Sequence, residues 1–272
     1  MDKLIITIAP TGNVPTRELT PHAATTPEKI IEDLKACQAA GATIAHLHVR
    51  DRDEIPTSER KYFVELDRMF DEANIKMVKQ FSTGARGGNA SDPEYRGQML
   101  DLSPQMASLS TGSSNFGSSV NANSPDLVKK LALKMKEYGI KPEIEVFDVS
   151  MINSAKYLLK KGILEGPLHF NFVMNVPGSL PGTPKNLMFL ADSIPEGSTF
   201  NVSGIGKSQI QMLTMAIALG GHVRTGLEDV VMLDGKLVTN VELVEKIASI
   251  AKAYGREIAT FEEAKEILGI RR

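Results

Sequence analysis

Two histidines one residue apart, His46-Leu47-His48, are the sharpest chemical signal in the sequence. On an extended strand, side chains two apart leave the same face. Both imidazoles therefore share a face with Ile44 and Arg50, while Ala45, Leu47 and Val49 occupy the other. Neutral imidazole is a good zinc ligand at about 2.1 Å, and a catalytic zinc takes a third protein ligand and keeps one position open. The third ligand is expected from Arg224-Thr225-Gly226-Leu227-Glu228-Asp229, where two acids follow a glycine. Glu228 would reach the metal, leaving Asp229 as a general base that zinc and Arg224 keep ionised. Without a metal, the same residues read as hydrogen-bonded histidines at a polar cavity mouth and an acid pair favoured by a helix dipole.

A second acidic pair lies in Glu143-Ile144-Glu145-Val146, again on one strand face. Charges inside a barrel are costly unless paired, so Glu145, nearer the catalytic end, is expected to function in the site. Glu143 is expected to belong to a buried structural network. Two loops rich in small hydroxyl residues and glycine, Ser82 to Gly88 and Ser108 to Asn115, could bring backbone N–H groups close to an oxyanion; as surface loops they would simply be flexible. His22, His169 and His222 read as structural, and so does Cys37, on a helical stretch from Pro27 to Ala40.

These groups meet only if several strand ends converge. Apolar or β-branched runs predict strands at Leu4–Ala9, Ala42–Val49, Lys76–Phe81, Met106–Leu109, Glu143–Phe147, Leu168–Met174, Thr199–Ser203 and His222–Thr225. Between them, amphipathic stretches predict helices over 27–40, 62–73, 93–100, 125–138, 151–161, 209–219 and 242–254, with a small terminal helix over 261–268. Thr26-Pro27-Glu28 offers an N-cap, a first-turn proline and an early acid. Such alternation without a long linker predicts an α/β fold, a (β/α)₈ TIM barrel with a short extra C-terminal helix, forming one catalytic domain over residues 1–272. A doubly wound sheet would show a G-x-G-x-x-G after its first strand, and Thr11-Gly12-Asn13-Val14-Pro15 is not one. The histidines then sit at the C-terminal end of strand two, where barrel enzymes place their chemistry.

With 31 basic against 33 acidic residues, the chain has no overall field to attract nucleic acid or an anionic membrane. A single cysteine excludes an internal disulfide. No apolar run approaches the roughly 20 residues of a membrane span, and Met1-Asp2-Lys3 leads directly into a strand rather than a signal peptide. The expectation is a cytoplasmic protein.

The sequence resembles the β-keto acid cleavage enzymes over nearly its whole length. The resemblance is carried by Thr11-Gly12, Thr26-Pro27-Glu28, His46-Leu47-His48-Val49-Arg50, Ser82-Thr83-Gly84, Pro142 to Val146, Val176-Pro177-Gly178, Pro184 to Met188 and Gly220 to Asp229. It implies a homotetrameric, zinc-dependent acyltransferase that exchanges acyl groups between a β-keto acid and acetyl-CoA, giving an acyl-CoA and acetoacetate. His46, His48 and Glu228 would hold the zinc, or another divalent metal. Asp229 would take the proton with help from Arg224, while Ser82, Ser108 and Glu145 position substrate, and Val14, Thr83, Gly84 and Ser110 complete the substrate pocket. The sequence departs from the family pattern at four places. Val14 stands where the aminohexanoate enzyme has an acid, so a neutral or apolar substrate tail is expected. Ser110 replaces a familiar Asn, Ala85-Arg86 follow Ser82-Thr83-Gly84 where glycine is common, and Asp148 replaces a Glu. Competing readings are a metal-dependent barrel aldolase or hydrolase working without coenzyme A, and a binding protein that has lost its chemistry.

Overall fold

In the computed structural model, which describes residues 2–84 and 90–270, eight parallel strands close into a barrel. They are β1 (Ile6–Ile8), β2 (Ile44–Leu47), β3 (Val78–Phe81), β4 (Met106–Ser110), β5 (Lys141–Val146), β6 (His169–Met174), β7 (Thr199–Gly204) and β8 (His222–Thr225). Each pairs with its sequence neighbours, and β8 closes the ring on β1 through Ile6 to Val223 and Thr7 to Arg224. The outer layer is α1 (Pro27–Ala39), α2 (Arg60–Glu72), α3 (Pro93–Gly97), α4 (Pro125–Glu137), α5 (Val149–Lys160), α6 (Pro184–Ser193), α7 (Gln209–Ala218) and α8 (Asn240–Tyr254).

Helix starts follow local chemistry. Thr26, Ser124 and Thr183 each accept a backbone N–H from the first turn and are followed by proline at the first helical position. That arrangement satisfies an orphan donor and spends a residue that has no N–H to lose. The sequence reading named no helix between strands six and seven. Helix α6 fills that place, and the same Thr-Pro signal marks its start. Helix α3 is short and passes into a 3₁₀ turn over Gln98–Leu102. Cys37 is fully buried on α1, and burial pushes its thiol up to about 12, which makes it inert packing.

The terminal helix α9 (Phe261–Leu268) explains which end of the barrel is open. Its Ala264 and Leu268 pack with Ile5, Ile44, Val78 and Met106, residues at the starts of four adjacent strands. This apolar cluster closes the N-terminal mouth. Inside the barrel the lining turns polar: Glu143, fully buried, accepts from Asn171 Nδ2 at 3.4 Å and Asn201 Nδ2 at 3.1 Å, and Ser203 Oγ donates to Asn171 Oδ1 at 2.8 Å. His169 bonds Thr199 at 2.8 Å, and His222 Nδ1 accepts from the Ile5 amide at 3.1 Å. Both histidines thus serve the lower barrel, away from His46 and His48.

Candidate active site

The expected strand two overruns the observed one. Pairing with β3 stops at Leu47, and Val49–Arg50 turns aside to pair antiparallel with Pro56–Thr57. His48 therefore stands at the point where the chain leaves the barrel. Its ring still converges on His46, with their Nε2 atoms 3.2 Å apart. Each ring is aimed through its other nitrogen: His46 Nδ1 donates to Gln80 Oε1 at 2.6 Å, and His48 Nδ1 donates to Asn13 Oδ1 at 3.1 Å. Such contacts fix the tautomer and leave both Nε2 lone pairs pointing into one space. Burial pushes His46 down to about 4, so it stays neutral and able to ligate at neutral pH.

Glu228 completes the group. Its Oε1 is 3.4 Å from His48 Nε2 and its Oε2 is 3.8 Å from His46 Nε2. Glu228 Oε2 is buried and has no hydrogen-bond donor. Two acceptor nitrogens and an orphaned carboxylate oxygen, all three ligand atoms within 4.8 Å of one another, call for a cation between them. The local charge agrees. Arg224, buried at the end of β8, faces three carboxylates: Asp229 at 2.9 and 3.1 Å, Glu228 at 2.8 Å and Glu145 at 3.6 Å. One guanidinium cannot neutralise three buried acids, and a divalent ion would offset the excess. The residues present fit a metal with two nitrogen ligands and one oxygen ligand, the donor set of a catalytic zinc.

Asp229 is subject to opposing influences. Arg224 favours its ionised form, but burial, with help from Glu228 and Glu145, outweighs this and raises the carboxyl to about 7. Glu228 is held well below its ordinary value, since Arg224 and the two histidines together overcome its burial. Burial also raises Glu145, against the pull of Arg224. Adjacent acids are thus split into a permanent anion and a carboxylate poised near neutrality, the property required of a general base.

Two glycines permit this arrangement. Gly226, with φ +141°, lets the chain turn under the Ala9 carbonyl, which a Cβ would meet at 2.1 Å. Gly12, with φ +63°, lies against Glu228, and a Cβ there would sit 2.3 Å from Glu228 Cγ. Gly12→Ala should therefore displace the Glu228 carboxylate and weaken binding of a divalent metal such as zinc at least about tenfold. Left-handed backbone at alanine should also cost about 1 kcal/mol of stability. Zinc titration and thermal melts check both, and native zinc affinity in the variant would contradict the prediction.

The C-terminal mouth opens into a cavity of about 580 Å³ lined by His48, Arg224, Glu228, Asp229 and Glu145, and also by Ser82, Gly84, Ser110 and Val14. Ser110 donates to Glu145 Oε2 at 2.9 Å. Thr83 and Ser108 do not reach the cavity wall. The Thr83 hydroxyl donates to the Ser108 carbonyl at 2.7 Å, and the Thr83 amide donates to Ser108 Oγ at 3.2 Å. The Gly84 amide is likewise spent on Ser82 Oγ at 3.2 Å. The expected cradle of free amides is absent at these two residues. Asp148 caps α5 by accepting from the Ser150 amide at 2.9 Å and lines a neighbouring surface cleft instead of the cavity. Ala85 and Arg86 lie outside the described residues.

Asn13 and Gln80 were not foreseen as partners of the histidines. Gln80 had a readable signal, a polar residue on the same strand face as the apolar Val78, opposite His46 in the ladder. The Ser108–Asn115 loop also proves more ordered than foreseen. It runs into an antiparallel hairpin, Ser114–Phe116 with Ser119–Asn121, whose Phe116 and Val120 line the cavity.

A sequence profile described as beta-keto acid cleavage enzyme matches residues 3–270. The chain belongs to the β-keto acid cleavage enzyme family. It is 44% identical over 273 residues to a 3-keto-5-aminohexanoate cleavage enzyme of Acetoanaerobium sticklandii, covering 99% of each chain. It is 41% identical to a 3-oxoadipate:acetyl-CoA acetyltransferase of Cupriavidus necator, covering 98% of this chain and 94% of the relative. Among solved structures, the ternary complex of ObcA with a C4-CoA adduct and oxalate superposes with a TM-score of 0.78 at 20% identity. That likeness spans 92% of this chain and 68% of ObcA, and bears on the fold alone. No helix among the described residues of this family member is long and apolar enough to cross a membrane.

Proposed function

We propose that the chain is a metal-dependent acyltransferase that converts a β-keto acid and acetyl-CoA into a new acyl-CoA and acetoacetate, with zinc as the metal. The observation that carries this reading is the His46–His48–Glu228 group at a cavity that His48 and Glu228 line, with a buried carboxylate beside it raised towards neutrality on a fixed arginine. Bound zinc would supply Lewis-acid stabilisation of negative charge on the substrate oxygens.

The protein's own groups manage the proton and the geometry. Asp229 takes a proton from the carbon between the keto and carboxylate groups of the substrate, while the two-point contact with Arg224 fixes its direction. The carbanion adds to the thioester carbonyl of acetyl-CoA and expels the CoA thiolate. That thiolate attacks the original keto carbon, the bond from this carbon to the former methylene breaks, and Asp229 returns its proton to acetoacetate. The Ser82 hydroxyl, whose oxygen already accepts from Gly84, keeps its own proton to donate to a substrate oxygen. Glu145, oriented by Ser110, accepts hydrogen bonds from the intermediate's hydroxyl or enol.

The substrate tail is neutral or apolar. Among the described residues, every ionisable side chain lining the cavity belongs to the centre itself, and the outer wall is built from Val14, Pro15, Leu19, Phe116, Val120 and Val231. Among the described residues, no charged side chain of that wall pairs with an ammonium or a second carboxylate, and burying either without a partner costs several kcal/mol.

The test is acetoacetate release by zinc-loaded protein from β-keto acids with alkyl, amino, trimethylammonium and acidic tails, with and without acetyl-CoA. Acetyl-CoA-dependent turnover, best with an alkyl tail, is expected. Val14→Glu should move the preference towards the amino tail by about tenfold or more, because a buried ammonium gains a partner. Keto acid consumption without coenzyme A would replace the reading with an aldolase or hydrolase. A native preference for the amino tail would reject the assignment of the tail.

A further inference from the structure

Arg96, on α3, is only 2% exposed, yet no carboxylate pairs with it among the described residues. Its guanidinium ends instead on backbone carbonyls. Nε donates to Thr83 O at 2.7 Å, and Nη1 donates to Ala122 O at 3.1 Å and to Ala90 O at 3.5 Å. Those carbonyls come from two separate stretches of the catalytic mouth. Gly84 and Ala90 line the cavity on the loop after β3, and Ala122 lines it where the Ser114–Asn121 hairpin returns to the barrel. Arg96 itself stands behind this wall.

The fold uses the same device elsewhere. Arg256 holds Asp2, Ile217, Gly220 and Gly221 through their carbonyls, near the starts of β1 and β8. At the catalytic mouth, Arg50 holds Gly12, Pro15 and Glu54 in the same way, beneath the loop that carries Asn13 and Val14. A planar fork of donors can hold several carbonyls at fixed angles, which a lysine ammonium cannot. Carbonyl dipoles solvate the guanidinium without cancelling its charge. Arg96 therefore ties the backbone at Thr83 and Ala90 to Ala122, where the hairpin returns to the barrel. The cavity lining next to Thr83 carries Ser82.

We infer that Arg96 is a positioning residue for the anionic keto acid, holding the backbone at Thr83, Ala90 and Ala122 beside its binding cavity from behind. This inference rests on the proposed keto acid substrate. It predicts a selective loss of substrate binding when the fork is removed, with the metal group and Asp229 unchanged.

The experiment compares native, Arg96→Ala and Arg96→Lys chains, all zinc-loaded. It measures KM and kcat for the keto acid, KM for acetyl-CoA, zinc stoichiometry, and the calorimetric Kd of acetoacetate. In Arg96→Ala, the keto acid KM and acetoacetate Kd should rise about tenfold or more while kcat stays within about threefold. Added guanidinium ion should restore much of the loss by refilling the vacated site, and Arg96→Lys should remain impaired despite its charge. Native binding in either variant would overturn the inference. So would loss of zinc with no recovery by guanidinium, since Arg96 would then be a folding element only. If the native chain binds acetoacetate but turns nothing over, the proposed reaction fails, and the acetoacetate Kd still decides the role of Arg96.

Discussion

Asp229→Asn should lower kcat for acetoacetate release by about 10² to 10⁴, the usual contribution of a positioned general base. Asparagine has nearly the same shape and can still accept from Arg224, but it cannot take a proton. KM for the keto acid and zinc content should therefore change little. The second readout is exchange of the substrate's methylene protons in deuterated water without acetyl-CoA, which isolates the first step. That exchange should fall in parallel with kcat. Native exchange in the variant would assign the base to another group, with Glu145 next in line because burial raises its carboxyl too.

Removing either histidine should have the other large effect. His46→Ala or His48→Ala leaves one imidazole and Glu228, and zinc affinity should drop by at least about a hundredfold, more than the 10–100-fold typical of losing a supporting contact. A chromophoric chelator in competition reads this without any assay of turnover. The supporting contacts supply an internal scale: Gln80→Leu and Asn13→Ala leave all three ligands present but free the ring orientations, and should fall between native and the histidine variants. The native chain should also gain about 2.7 kcal/mol of stability at zinc a hundredfold above Kd, and that gain should vanish in both histidine variants. Undiminished zinc affinity in either would remove the three-residue centre from consideration.

Much of the barrel was written locally. Alternating apolar runs and capped amphipathic stretches gave the strand and helix order, because burial on the two sides of a parallel sheet forces those patterns. Helix α6 is hard to read from sequence although Thr183-Pro184 repeats the Thr26-Pro27 signal, since its run lies among prolines and glycines. Strand β2 was drawn too long. Val49 and Arg50 keep the alternating pattern, and only their pairing with Pro56 and Thr57 shows that they have left the barrel.

The site divides along the same line. Spacing alone put His46 and His48 on one face and set Glu228 beside Asp229, because strand periodicity and chain adjacency are properties of a few consecutive residues. The tertiary structure decided what depends on distant residues meeting. Asn13 and Gln80 orient the two rings, Ser108 and Ser82 consume the amides of Thr83 and Gly84, and the hairpin lays Phe116 and Val120 against the cavity. It also decided the proton. Sequence placed Asp229 beside Arg224, whose charge favours the ionised acid, and the fold adds the burial among other carboxylates that raises it to about 7. Desolvation is set by everything packed around a group, and no stretch of sequence around Asp229 contains that shell.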